Sequence, residues 1–446
     1  MKIRIYNATI LTMETVNDMN KPDCYKNFRL VPPFHGEIHI ENDKITRIIS
    51  LHSDSVSENE TSNGFDRQID AKMNVVMPGF KNAHAHSPMT FARSYADDLP
   101  LSLWLNEKIF PMEAKLTPDN IRVFTKIAIM EYLSSGITAA FDMYFKPENI
   151  ASAAISCGFR SVLCGAVNDF TESVQRMNDF YEYYNSKEDS LVTFNLGFHA
   201  EYTTSEDILK EIAMLAKDKK APVYCHNSET KAEVAACVAR HGTTPVCYLD
   251  SLSMFDYGGG GFHLVYTTDE DMKILKSRKL HVITNPGSNA KLASGVAPLY
   301  KYMDAGLNIA IGTDGPASNN ALDMFREMYL VTALSKLLTQ NAASMDAEMV
   351  LYMASAGGAK AMGLNDCDVL APGKKADLII IDLNKPNMQP VNNITKNIVY
   401  SGSKENVIMT MINGRILYEN NEFVIGDSKE TIFAKANEMV KLLHNQ

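Results

Sequence analysis

Eight short apolar runs recur along the middle of the chain, each followed by a stretch that suits a helix, and this alternation restricts the fold more than any other feature. The runs are VVMPGF, GITAAFDMY, RSVLCGAV, LVTFNLGF, PVYCHN, GFHLVYT, HVITN and NIAIGT. Helix-compatible segments between them include residues 118–134, 205–217, 230–241 and 269–276. Strand-length runs separated by helix-length segments imply parallel βα units, and eight of them make a (β/α)8 TIM barrel. A doubly wound sheet is the competing α/β arrangement. It would normally bring a glycine-rich phosphate turn, yet no G-x-G-x-x-G follows the early strands. The glycine run at 258–261 precedes a strand and reads as a loop.

The two ends of the chain read differently. Residues 2–13 and 36–49 are β-rich, with a polar insertion around 17–33 between them and a polar, exposed loop expected at 53–64. Near the end, KKADLIIIDLN and NVIMTMINGRILYEN again read as strands, and Asn413-Gly414 is a hairpin signal. Neither end is long enough to bury a good core alone, so both are expected to form one small β-sandwich. The expected division is residues 1–74 and 369–446 for that sandwich and residues 75–368 for the barrel. At 446 residues the chain is long enough for such a pairing of one large and one small unit.

A net charge of -10 argues against a nucleic-acid backbone as partner and leaves a small molecule open. No run of 18 apolar residues occurs, so no membrane span is expected. Seven cysteines with no C-x-x-C pair suggest neither a disulfide framework nor a thiolate zinc site. The opening MKIRIYNATILTMETVND lacks a continuous apolar stretch, and a cytoplasmic location is expected.

The chemistry begins at His84-Ala85-His86, at the end of the first barrel strand. Residues i and i+2 of a strand share a face, so both imidazoles can converge on one ion. A lone H-x-H pair is as often a surface pair. Placement changes that: His226 ends the fifth strand, His263 lies on the sixth and Asp314 ends the eighth, in IGTDG. These strand ends open on the C-terminal face of a barrel, where catalytic groups collect. Imidazoles with a carboxylate are a plausible ligand set for zinc and similar divalent ions. Glu229, three residues beyond His226, does not share its strand face. It is expected in the loop over the ion, as a proton shuttle.

Four motifs in order, PGFKNAHAHSPMTFARSYADDLPLSLWL, HNSET, SNAKLASGVAPL and GTDGPASNNALDMF, resemble the amidohydrolase superfamily. Within it they look like the methylthioadenosine/S-adenosylhomocysteine deaminase and chlorohydrolase branch. The resemblance implies that His84, His86, His226 and Asp314 hold one divalent ion, zinc ahead of iron. Glu229 and His263 would be the catalytic pair, with Asp314 taking the proton of the attacking water. No carboxylated lysine stands at the fourth strand, which implies a mononuclear site. On the substrate side the resemblance implies Trp104, Glu113 for the ribose hydroxyls, His199, and Arg176 for a homocysteine carboxylate. Two departures stand out: Cys164 where a second arginine is found in one type of homocysteine-binding deaminase, and Thr284 where the branch commonly has histidine. The expected reaction is hydrolytic deamination of an adenine nucleoside by an enzyme that could also form homo-oligomers. A triazine chlorohydrolase and guanine, cytosine or pterin deaminases are the alternatives. A non-catalytic binding protein is disfavoured by the intact set of residues.

Overall fold

The computed structural model describes residues 1–19, 24–51 and 64–445. The expected loop at 53–64 therefore lies outside the described residues, apart from Gly64, as do residues 20–23 of the expected insertion. The chain opens on β1 (Lys2–Ile10), β2 (Phe34–Glu41), β3 (Lys44–Ser50), β4 (Arg67–Asp70) and β5 (Val75–Pro78). Eight barrel strands follow: β6 (Phe80–Ala85), β7 (Ile137–Met143), β8 (Arg160–Cys164), β9 (Val192–Ala200), β10 (Val223–Asn227), β11 (Gly259–His263), β12 (His281–Thr284) and β13 (Ile309–Ile311). The chain closes on β14 (Leu378–Ile381), β15 (Val407–Ile412), β16 (Arg415–Glu419), β17 (Glu422–Phe423) and the helix Lys429–Asn445.

Strands β6 to β13 pair in chain order, all parallel, as one eight-stranded sheet. Their inner face is filled by alternate residues such as Ala139, Phe141 and Met143 on β7 and Val162 and Cys164 on β8. Between β13 and β6 no ladder is formed among the described residues, and side chains join the edges instead. The Thr313 amide donates to Asn82 Oδ1 at 2.8 Å, and Asn82 Nδ2 donates to Thr313 Oγ1 at 2.7 Å. One backbone bond, from the Asp314 amide to the His84 carbonyl at 2.9 Å, completes the seam. The barrel is nearly closed, and its seam lies under two of the expected metal ligands.

The helices start where the sequence supplies caps. Thr117 caps Pro118–Ser134 and Thr230 caps Lys231–His241, each in a reciprocal capping box.

The strands of the two chain ends form one nine-stranded sheet in which β5 joins β1 to β14. The expected sandwich is thus, in its hydrogen bonding, a single sheet. It curls on itself, since Lys44 at the start of β3 bridges Lys375 just before β14. Ile3, Ile5, Ile38, Ile40, Leu378, Ile380 and Met409 share the resulting small core. One correction concerns VVMPGF, expected as the first barrel strand. Val75–Pro78 belongs to the end-strand sheet, and the barrel begins only at Phe80. A continuous apolar run cannot reveal that a chain changes sheets within it, because both sheets bury the residues equally. The hairpin at Asn413-Gly414 is present, with φ of 49° and 69° at the two turn residues.

A buried ion pair ties the sheet to the barrel. Arg160, at the start of β8, donates from Nε to Asp377 Oδ2 at 2.6 Å, and the side chains are 6% and 0% exposed. Asp377 also accepts from the Asn413 amide at 2.8 Å. Removing one partner strands a buried charge, so Arg160→Ala is expected to destabilise the protein by about 3–5 kcal/mol. The denaturant midpoint measures this, and a double replacement Arg160→Met, Asp377→Leu is expected to recover most of the loss.

Candidate metal centre and active site

His84 lies near the end of β6 and His86 just beyond it, where the β6–β7 register slips between Asn82 and Ala85. Ala83 faces the barrel interior, yet the His84 ring is inside too, stacked on Phe262 with centroids 3.8 Å apart. The local irregularity re-aims the side chain. His226 arrives on β10 and Asp314 just beyond β13, where its φ is 59°.

Their ligand atoms converge. His226 Nε2 lies 3.1 Å from His84 Nε2 and 3.3 Å from His86 Nε2. Asp314 Oδ1 lies 3.5 Å from His84 Nε2 and 3.1 Å from His86 Nε2. All four ligand atoms fall within 4.8 Å of one another. Two atoms each about 2.1 Å from a common ion sit about 3.0–3.4 Å apart, so the spacing fits a shared cation. The far nitrogens are tied down: His86 Nδ1–H donates to the Met143 carbonyl at 2.5 Å, and His226 Nδ1–H to the His199 carbonyl at 2.7 Å. Those bonds leave the Nε2 lone pairs turned inward, as a metal ligand requires.

The electrostatics agree. Burial pushes His84 down to about 3 and His226 well below its usual range, so both are neutral. Burial would raise Asp314, but contact with His84 and His86 outweighs it and holds the carboxyl well below the ordinary carboxylate range. The group is three imidazoles and a carboxylate, fit for a divalent ion.

Glu229 and His263 stand beside it. His263 Nε2 is 3.8 Å from Glu229 Oε2 and 3.9 Å from Asp314 Oδ2. Glu229 lies in the turn after β10, as its offset from His226 implies. That turn is pinned by the buried Glu233 carboxylate, which accepts from the amides of Ser228 at 2.7 Å and Glu229 at 2.8 Å.

Above these groups opens a cavity of about 570 Å³. It is lined by His86, Trp104, Glu113, Arg176, His199, His226, Glu229, His263 and Asp314, together with apolar side chains such as Leu105, Phe110 and Leu292. Every expected site residue except the buried His84 therefore reaches it. Glu113 Oε1 and the Tyr144 hydroxyl are buried there near each other, without a well-formed hydrogen bond among the described residues. His199 is held by Thr203 Oγ1, 2.9 Å from its Nδ1.

Arg176 reaches the wall already engaged. Its Nη2 donates to Glu148 Oε1 at 2.7 Å, and its Nε lies 3.6 Å from Glu172 Oε2. Cys164 does not line the cavity; it is fully buried in the barrel interior, with its sulfur 3.9 Å from the Leu196 carbonyl. Whatever an arginine does at that alignment position, this thiol has no access to a ligand. Thr284 follows the inward-facing Ile283 and so faces outward, beside Val331 and Ser335 of the surrounding helix. Nothing in the structure explains its replacement of histidine.

Sequence reasoning missed the end of β7. The Met143 carbonyl orients His86, and Tyr144 lines the cavity beside Glu113. The rule that strand ends on one face build the site could have found both, since β7 ends there too. His226→Ala is expected to abolish the near-stoichiometric binding of divalent metal, measured by elemental analysis of the purified protein, while Arg176→Ala leaves it unchanged.

The sequence profile of the amidohydrolase family matches residues 75–417. A 5-methylthioadenosine/S-adenosylhomocysteine deaminase of Thermoanaerobacter pseudethanolicus is 37% identical over 404 residues, 89% of this chain and 92% of the relative. A 5'-deoxyadenosine deaminase of Methanococcoides burtonii is 36% identical over 409 residues, 89% of this chain and 92% of the relative. Among solved structures, an adenosine deaminase from Xanthomonas campestris with bound zinc superposes with a TM-score of 0.87 at 28% identity, covering 99% of both chains. An atrazine chlorohydrolase from Arthrobacter aurescens shares the fold, with a TM-score of 0.85 at 20% identity over 98% of this chain and 100% of its own. The converging ligands at the mouth of the barrel and these similarities agree: the chain belongs to the amidohydrolase family.

Proposed function

We propose that this protein is a metal-dependent aminohydrolase that removes the 6-amino group from an adenine nucleoside, yielding an inosine-type product and ammonia. Methylthioadenosine, S-adenosylhomocysteine, adenosine and 5′-deoxyadenosine are the candidate substrates. The observation that carries this reading is the meeting of Glu229, His263 and Asp314 around one point of the cavity, beside the four ligand atoms. The names of the relatives at 36–37% identity favour a deaminase over a triazine chlorohydrolase, whose likeness is in the fold. The ion is zinc, with iron as the alternative; the imidazole-rich donor set and the zinc in the Xanthomonas structure support it. The absence of any disulfide among the described residues is consistent with a reducing, cytoplasmic setting, and the acidic chain with a small-molecule substrate and no nucleic-acid partner.

A divalent ion bound by His84, His86, His226 and Asp314 would lower the pKa of its water to about 7, supplying a nucleophile at neutral pH. Asp314 would accept a proton from the attacking water, with His263 Nε2 3.9 Å from its carboxylate. Glu229 protonates ring N1 from Oε2, so negative charge does not build up on the purine as C6 becomes tetrahedral. His263 Nε2, facing both carboxylates, orients the attacking oxygen. Asp314 passes the proton it accepted to the amino group, the C6–N bond breaks, and ammonia departs as the proton of the C6 hydroxyl returns to Glu229, leaving the C6 carbonyl of the product. Trp104 and the apolar wall exclude water around the base, His199 contacts the substrate, and Glu113 accepts from the ribose hydroxyls through its buried Oε1.

Ammonia release from the four nucleosides, measured against guanine, cytosine, pterin and triazine compounds, tests the assignment. Turnover confined to a non-adenine ring would overturn it. Proton transfer of this kind contributes about 10²–10⁴-fold, and Glu229→Gln is expected to lose that much kcat while keeping its metal. Burial, opposed by Tyr144 and His86, pushes Glu113 up to about 7. The group is then neutral below that pH and a carboxylate above it, and hydroxyl donors bind the charged form better. KM is expected to rise up to about tenfold between about pH 8 and about pH 6. Glu113→Gln should flatten that dependence in steady-state kinetics.

A further inference from the structure

Three side chains of the proposed machinery are gripped from one short stretch of chain. Ser288 Oγ donates to Asp314 Oδ2 at 2.6 Å. His263 Nδ1–H donates to Asn289 Oδ1 at 2.7 Å. Ser294 Oγ donates to Glu229 Oε1 at 2.8 Å. The three partners come from three different places: the turn after β10, β11, and the segment beyond β13. Ser288, Asn289 and Ser294 are 0%, 1% and 4% exposed, and none lines the cavity.

The stretch is built to do this. The short helix Pro286–Lys291 leaves the end of β12, and Ala293, with φ of 54°, turns the chain back. The amides of Ser294 and Gly295 then bond to the Asn289 carbonyl at 2.8 and 3.4 Å, which brings Ser294 back beside Asn289. From behind, the buried Glu327 carboxylate accepts from the Gly287 amide at 2.8 Å. A Cβ at Gly287 would sit 2.4 Å from Glu327 Oε1, and one at Gly295 would sit 2.6 Å from the Tyr266 hydroxyl. Both flanks are therefore packed too closely for a side chain.

We infer that residues 288–294 are a positioning device that dictates which atom of each catalytic group meets the substrate. Ser294 takes Oε1 of Glu229 and leaves Oε2, the oxygen 3.8 Å from His263, to carry the proton. Asn289 takes Nδ1–H of His263 and leaves Nε2 facing Glu229 and Asp314. Ser288 takes Oδ2 of Asp314, with Ser318 at 3.1 Å, and leaves Oδ1, which also accepts from the Gly315 amide at 2.7 Å, facing the imidazoles of His84 and His86. The inference rests on the catalytic roles proposed above for Glu229, His263 and Asp314. A hydroxyl or amide behind a reacting group acts by holding it in its productive rotamer, and such partners typically matter by a factor of about 10–100.

The test separates positioning from mere structural support. Wild type, Ser294→Ala, Ser294→Thr, Glu229→Gln and the double variant Glu229→Gln, Ser294→Ala are compared for kcat, KM, metal content and melting temperature. The substrate is whichever ring amine the wild type turns over fastest. Ser294→Ala is expected to lower kcat about 10–100-fold with KM within about threefold and metal and melting temperature unchanged. Ser294→Thr, which keeps the hydroxyl, restores most of the rate. In the Glu229→Gln background the added Ser294→Ala costs less than about twofold, because the two residues act through one carboxylate. An equal loss in both backgrounds, or a wild-type kcat in Ser294→Ala, overturns the inference. Fastest turnover on a ring other than adenine would retire the adenine reading and leave the Ser294 comparison intact.

Discussion

The rest of the structure depends on a group of electron-pair donors that repel one another unless a cation joins them. His86 and His226 turn lone pairs toward each other at 3.3 Å, and the Asp314 carboxylate lies 3.1 Å from one of them. Backbone carbonyls hold the opposite nitrogens, so neither of these two rings can relieve the repulsion by flipping its tautomer. Burying such a set costs free energy that only a bound ion, or an uptake of protons, can offset. The barrel supplies the stability that tolerates it, and its nearly closed wall brings residues more than two hundred positions apart within a few ångströms.

That wall is weakest where the function is concentrated. Between β13 and β6 the ladder gives way to Asn82, Thr313 and one backbone bond to His84. A fully laddered seam would impose strict alternation on both strands. The slipped register of β6 and the left-handed backbone at Asp314 let both ligands turn into the mouth. Irregular backbone at the rim of a regular barrel is where a side chain can be aimed without disturbing the wall.

Around the ion the chemistry is layered. Beside the ligand atoms three groups converge: a carboxylate from the turn after β10, an imidazole from β11 and Asp314 itself. Behind them, buried polar residues, Glu233 under the Glu229 turn and Glu327 under Gly287, hold backbone amides and not ligand. Burial pushes both of these acids up to about 7, the result expected of carboxyls enclosed by the fold. The outer wall is more neutral than a dedicated anion site, since Arg176 already faces Glu148 and Glu172.

Much of this was legible in the residues alone. Strand–helix alternation implied the barrel because period and spacing follow from local backbone geometry, and H-x-H at a strand end implied a shared ion because side chains two apart share a face. Glu229 was placed in a loop by its offset from His226 alone. What the residues could not reveal were relations across the chain. Only tertiary packing decided that residues 75–78 leave the barrel for the end-strand sheet, and that Cys164 points into the core while Tyr144 reaches the cavity. It also decided that residues 288–294 hold the side chains of Glu229, His263 and Asp314, which come from distant parts of the chain. The reason is physical: a local pattern encodes which face of an element is buried, whereas the identity of the neighbour on that face is set by how the elements close on one another.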